Sequence, residues 1–132
     1  MGESYKILVA DRNRHVRDLL RRELMAEGYD VSVAKDGHEA WVVLNGDERP
    51  HLLILDLEIP YLDDLVELGH FREGESSLPL IIFSFLPEET EDGPVPRAAA
   101  FLEKKEDTDR LKAVVAEVIG RFYPHRLAGH EA

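Results

Sequence analysis

The 132-residue sequence predicts an α/β domain, with a parallel sheet of five strands alternating with helices that cover both faces. Short apolar runs alternate with segments of helical periodicity along most of the chain. Four of these runs lead to a polar residue that could do chemistry: Asp11, Asp56 and Ser84 directly, and Lys104 one residue past its run. The central run, His51-Leu52-Leu53-Ile54-Leu55, is nearly all apolar, as a strand covered on both faces must be.

Each element can be justified in turn. Tyr5-Lys6-Ile7-Leu8-Val9-Ala10 is short and partly β-branched, a buried first strand. Val16, Leu19, Leu20 and Leu24 recur at helical spacing, so Asn13 to about Glu27 is an amphipathic helix, ended by Gly28 as a C-cap. Tyr29 to Ala34 sets Tyr and Val against Asp and Ser, the alternation of a second strand. Asp36-Gly37 reads as a turn, and His38 to about Asn45 as a short helix carrying Ala40, Val43 and Leu44 inward. After the third strand, Asp63 is expected to cap a helix bearing Leu65, Val66 and Leu68. Leu80 to Phe83 is a fourth buried run, and Ala99 to Leu102 a shorter fifth. Between them, Leu86 to Pro96 mixes Gly93, Pro94 and Pro96 with acids, so the fourth crossover helix is expected to be weak or missing. The last helix is the clearest, with Leu111, Val114, Val115, Val118, Ile119 and Phe122 on one face. Residues 5–122 then form one domain, and 123–132, which lack periodicity, are expected to be a loose tail.

Composition narrows the function classes. Hydrophobic residues make up 44% and charged residues 33% of the chain, a globular balance. No apolar run approaches the roughly 18 residues of a membrane span, no charged-then-apolar leader opens the sequence, and Lys6 spoils a myristoylation signal. The absence of cysteine excludes disulfides, zinc–thiolate sites and thiol catalysis. The expected location is cytoplasmic. A net charge of −11 argues against nucleic acid and anionic membrane as partners. The arginines at 12, 14, 17, 21 and 22 read mainly as the solvated side of a helix.

In a parallel sheet, Asp11, Asp56, Ser84 and Lys104 all leave their strands at the carboxyl edge, where ligands bind. Neighbouring strands lie about 4.8 Å apart, so two acids on adjacent strands can share one hard cation. A hydroxyl and an ammonium beside them suit phosphoryl transfer, which depends on positioning and charge neutralisation. Singly, each residue reads as a helix cap, a turn residue or surface decoration; together, at these strand ends, they point to chemistry.

From about Tyr5 to Phe122 the chain resembles bacterial response-regulator receiver domains. The resemblance rests on Ile7-Leu8-Val9-Ala10-Asp11, Leu53-Ile54-Leu55-Asp56-Leu57-Glu58-Ile59-Pro60, Ile81-Ile82-Phe83-Ser84 and Phe101-Leu102-Glu103-Lys104. It implies a flavodoxin-like, doubly wound (βα)5 sheet of order 2-1-3-4-5. It further implies that Asp56 accepts a phosphoryl group from a histidine kinase or phosphotransfer protein, and that the change is relayed to an unidentified downstream protein, with self-association as a homodimer left open. Asp11, Asp56 and the Glu58 backbone carbonyl would hold Mg²⁺. Ser84 would be the switch hydroxyl, Lys104 the phosphate-pairing cation, and Phe101 the aromatic that moves with Ser84.

Four positions depart from the family's pattern. Arg12 stands where a second metal-binding acid is usual, which is expected to weaken or abolish Mg²⁺ binding; two unit charges about 4 Å apart interact by about 4 kcal/mol at an effective dielectric of about 20. Arg12 is expected either to face solvent or to pair with Asp56 and stand in for the cation. Phe85 replaces a small residue beside the switch hydroxyl, Lys105 a proline after the lysine, and Asp64 a glycine before the third helix. These departures support a second reading, a pseudo-receiver that keeps the fold and acts as an interaction module, not an enzyme. A third, a metal-dependent phosphohydrolase prompted by Asp56-Leu57-Glu58, lacks the cap sequence such enzymes need. The six histidines show no metal-ligand spacing, and Trp41 reads as partial core.

Overall fold

The computed structural model describes residues 4–69, 78–85, 98–104 and 107–124. In chain order these form β1 (Lys6–Ala10), α1 (Arg14–Ala26), β2 (Asp30–Ala34), α2 (Gly37–Leu44), β3 (Leu52–Leu55), α3 (Leu62–Leu68), β4 (Leu80–Ser84), β5 (Ala100–Glu103) and α4 (Thr108–Phe122). The sheet is five-stranded and parallel, in the order β2-β1-β3-β4-β5. The expected α/β class and strand order both hold. The crossover between β4 and β5 where a weak fourth helix was expected, residues 86–97, lies outside the described residues.

Strand periodicity divides the apolar residues between two cores. Ile7, Val9, Leu52, Ile54, Ile81 and Phe83 face α1 and α4, where they meet Leu20, Leu24, Leu111, Val115, Val118 and Ile119. Leu8, Ala10, Leu53, Leu55 and Ile82 face the other way, toward Ala40 and Leu44 of α2 and Leu65 and Val66 of α3. β3 is buried at all four positions, which explains its unbroken apolar run. Trp41 packs at the margin of the second core, as expected.

Local signals explain the helix ends. Asn13 caps α1, its side chain accepting from the N–H groups of His15 and Val16. Gly28, at φ +98°, ends that helix as predicted: its N–H donates to the Met25 carbonyl while Tyr29 N–H donates to that of Leu24. Asp36 proves to be the N-cap of α2, not merely a turn residue, and Asp107 caps α4.

Several expectations fail. Asp63 does not cap α3. Tyr61 takes that position in left-handed backbone (φ 62°) with no side-chain cap, and Asp63 and Asp64 fall in the first helical turn. There their charges favour the positive end of the helix dipole, an alternative route to the same stabilisation. Leu19, Leu68 and Phe122 are exposed rather than core, because they sit at the edge of their helices' apolar stripes. Tyr123 is not part of a loose tail. Its hydroxyl donates to the His51 carbonyl at 2.7 Å and its ring meets those of His51 and Tyr5. Residues 125–132 lie outside the described residues.

Candidate functional site: the carboxyl edge of the sheet

Register brings the predicted residues together. Ala10 pairs with Leu55, so the next residues, Asp11 and Asp56, leave the sheet side by side. Their backbones stay tied to it: Asp11 N–H donates to the Ala34 carbonyl at 3.0 Å and Asp56 N–H to that of Ala10 at 2.9 Å. Ser84 pairs with Glu103 across β4 and β5, and the Lys104 N–H donates to the Ser84 carbonyl at 3.0 Å. The Lys104 side chain, 5% exposed, places Nζ 2.9 Å from Asp11 Oδ2 and 3.4 Å from Asp56 Oδ1. Asp11, Asp56 and Ser84 are the buried polar residues among those described.

The adjoining turns complete the set of donors. Asn13 N–H donates to Asp11 Oδ1 at 2.8 Å, and Arg17 Nη1 to the Asp11 carbonyl at 2.8 Å. Glu58 N–H donates to Asp56 Oδ1 at 3.0 Å and Arg12 N–H to Asp56 Oδ2 at 3.3 Å. Burial pushes the Asp11 carboxyl above its ordinary value; the Asn13 N–H and the Lys104 ammonium pull it back, and the nearby Asp56 charge adds to the rise.

The Arg12 side chain does not simply face solvent. Its Nη2 forms an ion pair with Glu58 Oε1, and its Nε lies 3.9 Å from Asp56 Oδ2. The expected pairing with Asp56 thus exists as a charge contact rather than a hydrogen bond, and Glu58 is the closer partner. Phe85 leaves the end of β4 with its ring 5.3 Å from Lys104 Nζ, a cation–π distance. Phe101 sits on β5 opposite Ile82, partly exposed. Lys105 lies outside the described residues.

Asp64, expected just before the third helix, lies within its first turn. It is helical, and its carboxylate meets His38 Nε2 at 3.0 Å while the His38 ring stacks on Tyr61 at 3.9 Å. The left-handed residue is Tyr61, whose carbonyl lies against Gly37, and Gly37 N–H donates to Pro60 at 2.8 Å. This contact fixes the loop that carries Glu58 against the start of α2. Sequence reasoning missed three contributors: the Glu58 carboxylate, the Asn13 N–H and the Arg17 guanidinium. The only signal for the first was its charge opposite Arg12 at neighbouring strand ends.

The implied Mg²⁺ does not fit this arrangement as it stands. Mg²⁺ demands near-octahedral oxygen coordination. Among the described residues no three Asp, Glu, His or Cys side chains converge as a metal site, and no buried side-chain oxygen or nitrogen lacks a partner. The carboxylates of Asp11, Asp56 and Glu58 already face two fixed cations, Lys104 and Arg12.

Comparison with known proteins agrees with the fold. The family model of the response regulator receiver domain matches residues 7–116. The response regulator MprA of Mycolicibacterium vanbaalenii is 33% identical over 129 residues, covering 96% of this chain and 55% of that protein. MprA of Mycobacterium bovis is 41% identical over 81 residues, covering 61% of this chain and 35% of that protein. The chain therefore spans about half, or less, of the length of the curated relatives it matches. Among solved structures, the response regulator TrrA of Thermotoga maritima, crystallised with Mg²⁺ and BeF, superposes with a TM-score of 0.71 at 28% identity, over 86% of this chain and 97% of that one. The receiver domain of the Francisella response regulator 1452 gives 0.77 at 27% identity, over 89% of this chain and 98% of that one. Among the described residues no helix is long and apolar enough to cross a membrane.

Proposed function

The chain belongs to the response-regulator receiver family, and from that premise we propose that it is a receiver-type interaction module whose acid pocket is balanced by Arg12 and Lys104, without phosphoryl transfer to Asp56. The observation that carries this reading is the state of the Asp56 carboxylate. Its side chain is 1% exposed, Oδ1 faces the Glu58 N–H and Lys104, and Oδ2 faces the Arg12 N–H and guanidinium. Phosphoryl transfer requires in-line access to an acceptor oxygen and charge neutralisation at the transferred group. Here the charge is already neutralised, and Phe85 sits against Lys104. Such a module signals through its surface, by contact with a partner protein.

A second reading keeps Asp56 as the acceptor. Asp11 and Lys104 surround it, Ser84 ends the neighbouring strand, and the Arg12 side chain is 48% exposed, so it would reach solvent if its pair with Glu58 broke. An Asp56 oxygen would then bond to phosphorus as the P–N bond of a phosphohistidine donor on a kinase or phosphotransfer protein breaks. The electron pair of that bond stays on the imidazole nitrogen, and the ring leaves neutral because its other nitrogen has taken a proton from water; Lys104 and Ser84 would face the transferred oxygens, and Phe101 would move with Ser84. Intact mass after incubation with a small phosphodonor, with and without Mg²⁺, separates the two. No adduct is expected. A single phosphoryl adduct that disappears in Asp56→Asn would reject the first reading and establish the second.

A further inference from the structure

We propose that Arg12 is the residue that excludes divalent cations from the Asp11–Asp56 pocket, and that an acid in its place opens the pocket to one. The proposal deepens the self-balanced reading above and rests on it. Residue 12 is rooted at the pocket itself, because its own N–H donates to Asp56 Oδ2 at 3.3 Å. Any side chain there starts beside the carboxylate, and the arginine's runs along it to Glu58. A dication between Asp11 and Asp56 would meet Lys104 on one side and the guanidinium on the other, two repulsions against two buried acids.

The Arg12–Glu58 pair also does mechanical work that an ion otherwise does: it joins the β1–α1 turn to the β3–α3 loop. Arg12→Asp reverses the balance. The pocket would then hold Asp11, Asp56 and the new acid against Lys104 alone, with Glu58 released at the rim. A hard cation favours such a set of oxygens.

Site-specific detection is essential, because a chain of net charge −11 attracts dications over its whole surface. Amide spectra are recorded during a sub-stoichiometric Mn²⁺ titration of wild type, Arg12→Asp and Arg12→Ser, and paramagnetic broadening is read at Asp11, Asn13, Asp56 and Glu58. In Arg12→Asp these amides should broaden first, at a Mn²⁺ concentration roughly tenfold or more below that of wild type. Arg12→Ser, which removes the charge without adding a ligand, should fall between. Selective broadening of these amides in wild type at the same concentration as in the variants overturns the proposal, as does a folded Arg12→Asp that gains nothing. If Arg12→Asp does not fold, Arg12→Ser decides: equality with wild type overturns, tighter binding supports. An Asp56 adduct formed without metal would sink the functional reading while leaving this one intact, so the two failures are distinguishable.

Discussion

Lys104 faces two buried carboxylates, at 2.9 and 3.4 Å, with almost none of its side chain in solvent. Removing one partner of a buried ion pair leaves an uncompensated charge, which costs about 3–5 kcal/mol. Lys104→Met should therefore be strongly destabilised near neutral pH, and the direction of its pH dependence follows from Asp11. The folded value of Asp11 lies above its ordinary 3.8. A raised acid favours folding fully below its unfolded value and loses that contribution as pH rises through the folded one. Without Lys104 the folded value climbs further, so the deficit against wild type should shrink as pH falls from about 8 to about 5. Urea midpoints across that range check it; a deficit that grows on acidification would contradict this account of the pocket. Gly37 gives a second residue-scale test. A Cβ there would lie 2.1 Å from the Tyr61 carbonyl oxygen, a backbone atom held by the rest of the loop. Helix propensity favours Ala over Gly by about 1 kcal/mol, yet overpacking costs typically about 1–3 kcal/mol. Gly37→Ala should thus be net destabilising, measured by denaturant unfolding, and should disturb the amides of Tyr61 and Glu58.

Among the elements, α1 and α4 cover the same face of the sheet and are tied at their surface by Lys112, whose Nζ lies 2.8 Å from Glu23 and 3.8 Å from Glu27. The Lys112 hydrogen bond holds the Glu23 carboxyl below its ordinary value. A depressed acid stabilises above its unfolded value and loses that contribution as pH falls through the folded one. Glu23→Gln should therefore lower the melting temperature slightly at neutral pH, have no effect once Glu23 is protonated in wild type, and matter less in high salt. Thermal melts at neutral and acid pH, with and without added salt, read this out. The elements also show what was legible in the sequence. α1 could be read from end to end, because Asn13, the apolar spacing and Gly28 are local signals. The convergence of Asp11, Asp56, Ser84 and Lys104 was legible too, because a parallel sheet delivers every strand's end to one edge. The start of α3 was not: Tyr61 is left-handed through contacts with Gly37 and His38, which lie more than twenty residues earlier in the chain. Nor was the path of the Arg12 side chain, which depends on Glu58 across the edge rather than on any neighbour in sequence.

At the scale of the whole molecule, the buried apolar residues among those described form two separate clusters, one on each face of the sheet. β1, β3 and β4 contribute alternate residues to either side, so Leu53 and Leu55 belong to one core while Leu52 and Ile54 belong to the other. A loss on one side must therefore be felt on the opposite side if the sheet couples them into one cooperative unit. Trp41, the single tryptophan, reports only the α2–α3 side. Leu111, fully buried on α4, lies on the other. Leu111→Ala removes buried methyl groups and leaves a cavity, at a cost of about 2–5 kcal/mol. If the domain unfolds as one unit, the Trp41 fluorescence midpoint in urea should fall as far as the far-ultraviolet circular dichroism midpoint, although no altered atom is near the indole. A Trp41 transition left at its wild-type midpoint, with only the dichroism shifted, would mean that the two layers unfold separately.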